Sequence, residues 1–126
     1  MAENKKVLMV DDDLFRYARN FVPLMAKYGV DYYAAEDFDG ALDMIKQHKF
    51  DLILLDFQLA GYKNGLEALA AIREIDKVTP IHMLSAYEEH DTKAFELGAN
   101  KYVLKPLDWK EHILKPLGIT VDGGNP

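Results

Sequence analysis

The chain contains no cysteine, so neither a disulfide framework nor a thiolate zinc site is available to it, and its redox compartment leaves no mark on the sequence. It also lacks any apolar run near the roughly 18 residues needed to span a bilayer, and its first six residues, MAENKK, lead into a strand-like run rather than a signal-peptide core. A soluble, cytoplasmic protein with no membrane insertion is expected. Basic side chains are short in number, 15 against 21 acidic ones for a net charge of −6. That balance excludes the electrostatic footprint of direct nucleic-acid binding, so a DNA-binding output, if one exists, lies on another chain. Repeats, low-complexity tracts and internal linkers are absent as well. What remains is 126 residues, enough for one domain that buries a majority of its unfolded surface without staples. Only the tail DGGNP (122–126) reads as unstructured.

The hydrophobic pattern switches repeatedly between short continuous runs and helical spacing. KVLMV (6–10) reads as a buried strand, followed by Leu14, Ala18, Phe21, Val22 and Met25 at helical intervals. DYYAA (31–35) is a second strand, and Phe38, Ala41, Leu42 and Ile45 mark a second helix with Asp37 as its N-cap. DLILL (51–55) precedes the helix LEALAAIREI (66–75), and PIHML (80–84) precedes a helix ending near Gly98. KYVL (101–104) precedes a short final helix around 109–114. Five βα units result. Aliphatic runs without alternation are the mark of strands covered on both faces, which predicts a parallel sheet with helices on each side.

In an open parallel sheet, function gathers at the carboxyl ends of the strands. The first strand ends in Asp11, Asp12 and Asp13, the third in Asp56, the fourth in Ser85 and the fifth in Lys105 followed by Pro106. Each has a bland explanation: an aspartate or serine after a strand caps a helix or forms a turn, and a lone lysine is usually a solvated charge. Those explanations are independent of one another and do not require convergence on one edge. Three carboxylates brought together repel unless cations intervene. Mg²⁺ and Lys105 balance the three charges and make an oxygen-rich site for a hard cation that keeps several waters. Phosphoryl transfer requires little beyond such positioning and charge neutralisation, with Asp56 as the nucleophile that becomes an aspartyl phosphate.

VLMVDDD, DLILLDFQL, MLSA and YVLKP, in this order at the ends of strands, resemble the receiver domain of two-component response regulators of the single-domain, chemotaxis-regulator type. The similarity runs from about residue 5 to about residue 117 and implies one receiver domain with a tail over 118–126. It implies a flavodoxin-like (βα)5 doubly wound five-stranded parallel sheet of strand order 2-1-3-4-5. On the matching positions it makes Asp56 the phosphoacceptor, Asp11 and Asp12 the acidic pair that binds Mg²⁺ (or Mn²⁺), Ser85 the switch hydroxyl and Lys105 the phosphate-pairing lysine. It further makes Tyr102 the switch aromatic, the Gln58 backbone carbonyl a metal ligand and the bond from Lys105 to Pro106 a cis peptide. Gln58 and Tyr87 flank the path of hydrolytic water, and bulky Tyr87 is expected to slow loss of the phosphoryl group. The implied partners are a histidine kinase or histidine phosphotransfer protein and a downstream protein target. The implied activity is that of a switch rather than a turnover enzyme.

Four departures from the family pattern concern the surface around the site. Ala60 and Asn64 stand where a proline and a glycine are usual, with Gly65 one position later. Ser85 and Lys105 are 20 positions apart, which shortens the fourth helical region. Pro23 lies inside the first helical pattern and is expected to kink or break it, and Pro116 truncates the last helix. Three other readings are carried: a pseudo-receiver that acts as an interaction module without phosphorylation, a haloacid-dehalogenase-type phosphohydrolase using Asp11 and Asp13, and a flavodoxin relative. The last is disfavoured because three aspartates would repel a phosphate from the first strand's loop.

Overall fold

The computed structural model describes residues 4–11, 14–58 and 64–120, excepting the side chains of 14–20. Asp12, Asp13, Ala60 and the tail 122–126 therefore lie outside the described residues. Five strands alternate with helical segments: β1 (Lys5–Val10), α1 (Leu14–Lys27), β2 (Val30–Ala35), α2 (Phe38–Gln47), β3 (Leu52–Asp56), α3 (Gly65–Ile75), β4 (Ile81–Ser85), α4 (Asp91–Glu96), β5 (Lys101–Leu104) and a terminal π-helix (Lys110–Leu114). All strand pairs are parallel, in the order β2-β1-β3-β4-β5. This is the flavodoxin-like order implied by the resemblance.

The uninterrupted aliphatic runs are explained by burial on both faces of the sheet. Successive side chains of a strand point to opposite faces, and the two sets enter separate cores. Leu8, Val10, Ile53, Leu55, Ile81 and Met83 pack on one face with Phe38 and Ala41 of α2, Ala68, Leu69 and Ile72 of α3, and Ala94 of α4. Val7, Met9, Leu52, Leu54, Leu84 and Val103 pack on the other with Met25 of α1 and Ile113 and Leu114 of the π-helix. Complete burial of a valine, leucine, isoleucine, methionine or phenylalanine side chain among these contributes about 1.5–3 kcal/mol, and of an alanine less.

Local signals set the helix ends. The Asp37 carboxylate accepts from Gly40 N at 2.8 Å, the cap expected for α2. Asn64 and Glu67 close a reciprocal capping box at the start of α3. The expected break at Pro23 does not occur, because α1 runs continuously from Leu14 to Lys27. Pro23 itself is exposed. Val22, read as a core position, is also 44% exposed. α4 is six residues long, as the shortened spacing requires. The last helix is truncated as expected and wound more widely than an α-helix, with Lys115 N donating to Lys110 O at 3.0 Å.

Arg73 staples the edge of the sheet opposite the carboxyl ends. Its guanidinium donates to Gly98 O (2.9 Å), Thr79 O (2.7 Å), Asp76 O (3.1 Å) and Asn100 Oδ1 (2.8 Å), tying α3 to the turns on either side of β4. Arg73→Met strands several carbonyls and is expected to lower stability by about 2 kcal/mol in urea denaturation. A change below about 0.5 kcal/mol would contradict this role.

Candidate functional site

The parallel ladder continues one residue past each strand and holds the site residues by their backbones. Asp11 N donates to Ala35 O (3.0 Å), Phe57 N to Leu84 O (2.8 Å) and Lys105 N to Ser85 O (2.8 Å). Val10 pairs with Leu55 across β1 and β3, so the next residues, Asp11 and Asp56, stand side by side. Asp11, Asp56 and Lys105 share the alternation parity of Met9, Leu54 and Val103, which places them on the face covered by α1 and the π-helix. Ser85 and Tyr102 share the parity of the opposite face.

Asp11 and Asp56 are both buried, at 2% and 3% exposure. The Lys105 ammonium lies 2.7 Å from Asp56 Oδ2, with the lysine side chain 24% exposed. Asp56 Oδ1 accepts from Gln58 N at 2.9 Å, so the aspartate is also the turn former that its bland explanation required. The peptide from Lys105 to Pro106 is cis, as expected. Ser85 is buried and its Oγ accepts from Tyr87 N at 3.0 Å. Ser85 does not cap α4, whose N-cap is His90 without a side-chain bond. The Tyr102 hydroxyl donates to the Tyr87 carbonyl. A single residue thus joins the two positions that the resemblance makes the switch pair. Tyr87 presents its ring to solvent at 51% exposure, and Gln58 is exposed too.

Among the described residues, which do not include Asp12, no group of three or more metal-ligating side chains is present. The donor set still fits a hard cation. Two carboxylates, Asp11 and Asp56, are buried on adjacent strand ends, Asp56 meets the Lys105 ammonium, and every candidate donor is an oxygen.

Gly65 is a site residue whose function the spacing concealed. A Cβ on it would lie 2.5 Å from Asp56 O, 2.6 Å from Phe57 Cα and 2.8 Å from Phe57 O. Its amide donates to Phe57 O at 2.7 Å. The start of α3 is therefore pressed onto the backbone of the acceptor turn, and Asn64, in the place of the usual glycine, is left free to cap the helix. Phe57 and His90 were also missed. Their rings stack with centroids 4.3 Å apart and 15° between planes. Other aromatics of the domain make contacts within the chain: Trp109 with Tyr28, Tyr32 with Phe21, and Tyr33 with His48 and Phe50.

A five-stranded parallel sheet with acidic side chains and a lysine at its carboxyl edge defines a flavodoxin-like α/β protein. The chain belongs to the response regulator receiver domain family, whose model matches residues 7–115. It is similar to the receiver domain of the Francisella response regulator 1452, with 28% identity, TM-score 0.78, and coverage of 90% of this chain and 94% of that one. It is equally similar in sequence, at 28%, to the response regulator TrrA of Thermotoga maritima, solved in complex with Mg²⁺ and BeF, with TM-score 0.74 and coverage of 89% and 98%. A response regulator of Burkholderia pseudomallei, solved with a phosphorylated aspartic acid and a calcium ion, is 25% identical, with TM-score 0.76 and coverage of 86% and 64%. Family membership places the chain in two-component signal transduction. Among the described residues no helix is long and apolar enough to cross a membrane. The phosphohydrolase reading draws no support from the fold, since β5 leads into Lys105 rather than an acidic pair and Asp13 lies outside the described residues.

Proposed function

We propose that this domain accepts a phosphoryl group on Asp56 from the phosphohistidine of a histidine kinase or phosphotransfer protein, and thereby switches a surface that binds a downstream protein in the cytoplasm. The observation that carries this reading is the Lys105 ammonium 2.7 Å from the buried Asp56 carboxylate, beside a second buried carboxylate, Asp11. A carboxylate oxygen of Asp56 attacks phosphorus, the new O–P bond forms as the P–N bond breaks, and the donor imidazole leaves with its electron pair. Asp11, Asp12, Asp56 and the Gln58 carbonyl would hold Mg²⁺ or Mn²⁺, which supplies charge neutralisation to the phosphoryl oxygens. Lys105 exchanges its contact with Asp56 for one with a phosphoryl oxygen. The Ser85 hydroxyl, now an acceptor for Tyr87 N, has its own proton to donate to another. Moving Ser85 displaces the residue 87 peptide, and with it the acceptor of the Tyr102 hydroxyl. The added charge of about −1.5 to −2 biases this linkage between two packings. The chain acts as a switch that catalyses only its own phosphorylation and dephosphorylation.

Titration of the labelled protein with Mg²⁺ and beryllium fluoride tests the site without covalent chemistry. The amide resonances of Gln58, Ser85, Tyr87 and Lys105 are expected to shift together in the native chain and not in Asp56→Ala. Unmoved resonances in the native chain would contradict the reading. Tyr87→Ala, which removes bulk beside Ser85, is expected to shorten the lifetime of the aspartyl phosphate; a longer-lived adduct in the variant would refute that role.

A further inference from the structure

The turn after Asp56 and the loop after Ser85 are joined by a contact that the phosphoryl chemistry does not require. Phe57 is held through its backbone on both sides, donating to Leu84 O at 2.8 Å and accepting from Gly65 N at 2.7 Å. Its ring is thereby fixed against the core on the α3 side and offers one flat face to the β4–α4 connection. His90, the last residue before α4, lies flat on that face, 4.3 Å away and 15° from parallel. The connection is thus tied at both ends. At residue 87 it is bonded to Ser85 Oγ and to the Tyr102 hydroxyl, and at residue 90 it is stacked on the neighbour of Asp56. α4 contributes little to holding its own start, since it has six residues and no side-chain cap bond.

We infer that His90 is a positioning residue that latches the β4–α4 connection to the acceptor turn, so that the Ser85–Tyr87 segment stays closed over Asp56 and limits the access of water to a phosphoryl group there. The inference deepens the proposed function and rests on it only for the last clause. An offset stacked pair is worth about 0.5–1.5 kcal/mol beyond its buried area, a factor of about 2 to 12 in a local opening equilibrium. An aromatic ring is the feature required, and its charge is not.

The test compares His90→Ala and His90→Phe with the native chain by amide hydrogen exchange on the unmodified protein and by decay of the aspartyl phosphate formed with acetyl phosphate and Mg²⁺. In His90→Ala the amides of Gln58 and Tyr87 are expected to exchange about 2- to 10-fold faster while those of Leu54 and Met9 keep their native rates, and the adduct is expected to decay faster by a similar factor. His90→Phe is expected to restore both. If Leu54 and Met9 accelerate as much as Gln58 and Tyr87, His90 acts only on overall stability and the latch is overturned. Unchanged loop exchange overturns it as well, and altered loop exchange with an unchanged adduct lifetime overturns the claim on water access. Failure of the native chain to form any adduct would sink the proposed function and the claim on water access, whereas localised loop exchange restored by His90→Phe would still establish the latch itself.

Discussion

Gly65→Ala is expected to cost about 3 kcal/mol of folding stability and to slow phosphoryl acceptance severalfold. The new methyl carbon would fall within 3 Å of three backbone atoms of residues 56 and 57, and backbone cannot swing aside as a flexible side chain does. Relief requires either withdrawing the start of α3, which breaks the 2.7 Å bond from Gly65 N to Phe57 O, or displacing the acceptor turn itself. The second course moves the Gln58 amide off Asp56 Oδ1 and misaligns the carboxylate with Lys105. Urea denaturation at constant pH reads the stability term, and the initial rate of adduct formation reads the alignment. A variant within about 0.5 kcal/mol of the native chain would show that the helix start yields easily and that Gly65 does not position the site.

Stability is expected to fall by about 3 kcal/mol between pH 6.5 and pH 4 through His82 alone. This residue sits on β4 between Leu54 and Lys101 in register, is 4% exposed, and its Nδ1 has no hydrogen-bond partner among the described residues. Burial, with the like charges of Lys101 and His112 added to it, pushes its pKa down from 6.5 to about 4. Well above pH 6.5 the imidazole is neutral both folded and unfolded and contributes no pH dependence. As the pH drops toward 4 the unfolded chain binds a proton that the folded chain refuses, so the native state loses ground across that window; below it both forms are protonated and the loss levels off. In His82→Leu, which keeps an apolar side chain in the β4 core, the decline between pH 6.5 and 4 is expected to be shallower by about that amount. Parallel pH profiles for the two proteins would contradict the assignment.

Much of this architecture is legible in the sequence because both-face burial leaves a direct trace. A parallel strand covered on each side has no polar position to spare, so LILL (52–55) and its counterparts stand out, and the first polar residue after each run marks the edge of the sheet. That is how Asp11, Asp56, Ser85 and Lys105 are found. The boundary errors have the same origin. β3 and β4 each begin and end one residue later than read, since Asp56 and Ser85 remain in the ladder and buried, where polarity suggested that the strand had ended.

The features that stayed hidden depend on distances between elements. Gly65 reads as a loop glycine displaced by one position, and only the approach of α3 to the acceptor turn reveals why a side chain is excluded there. Arg73 carries no motif signal within LEALAAIREI (66–75), although four oxygens converge on it, among them the Asn100 side-chain oxygen. The stack of Phe57 on His90 joins residues 33 positions apart and carries no periodic or motif signal. Pro23 illustrates the converse: a strong local rule against proline in a helix interior is overridden at an exposed position in a continuous helix.

The central claim is that Asp56 takes up a phosphoryl group with the help of a divalent cation. Intact-protein mass after incubation with acetyl phosphate tests it most directly, with Mg²⁺, with EDTA, and with Asp56→Asn in parallel. The account predicts one phosphoryl adduct on the native chain, lost with EDTA and absent from Asp56→Asn. No adduct on folded native protein with Mg²⁺ present, or an adduct that persists in Asp56→Asn, would contradict it, and the first of these results would make the chain a receiver fold used for interaction without phosphorylation.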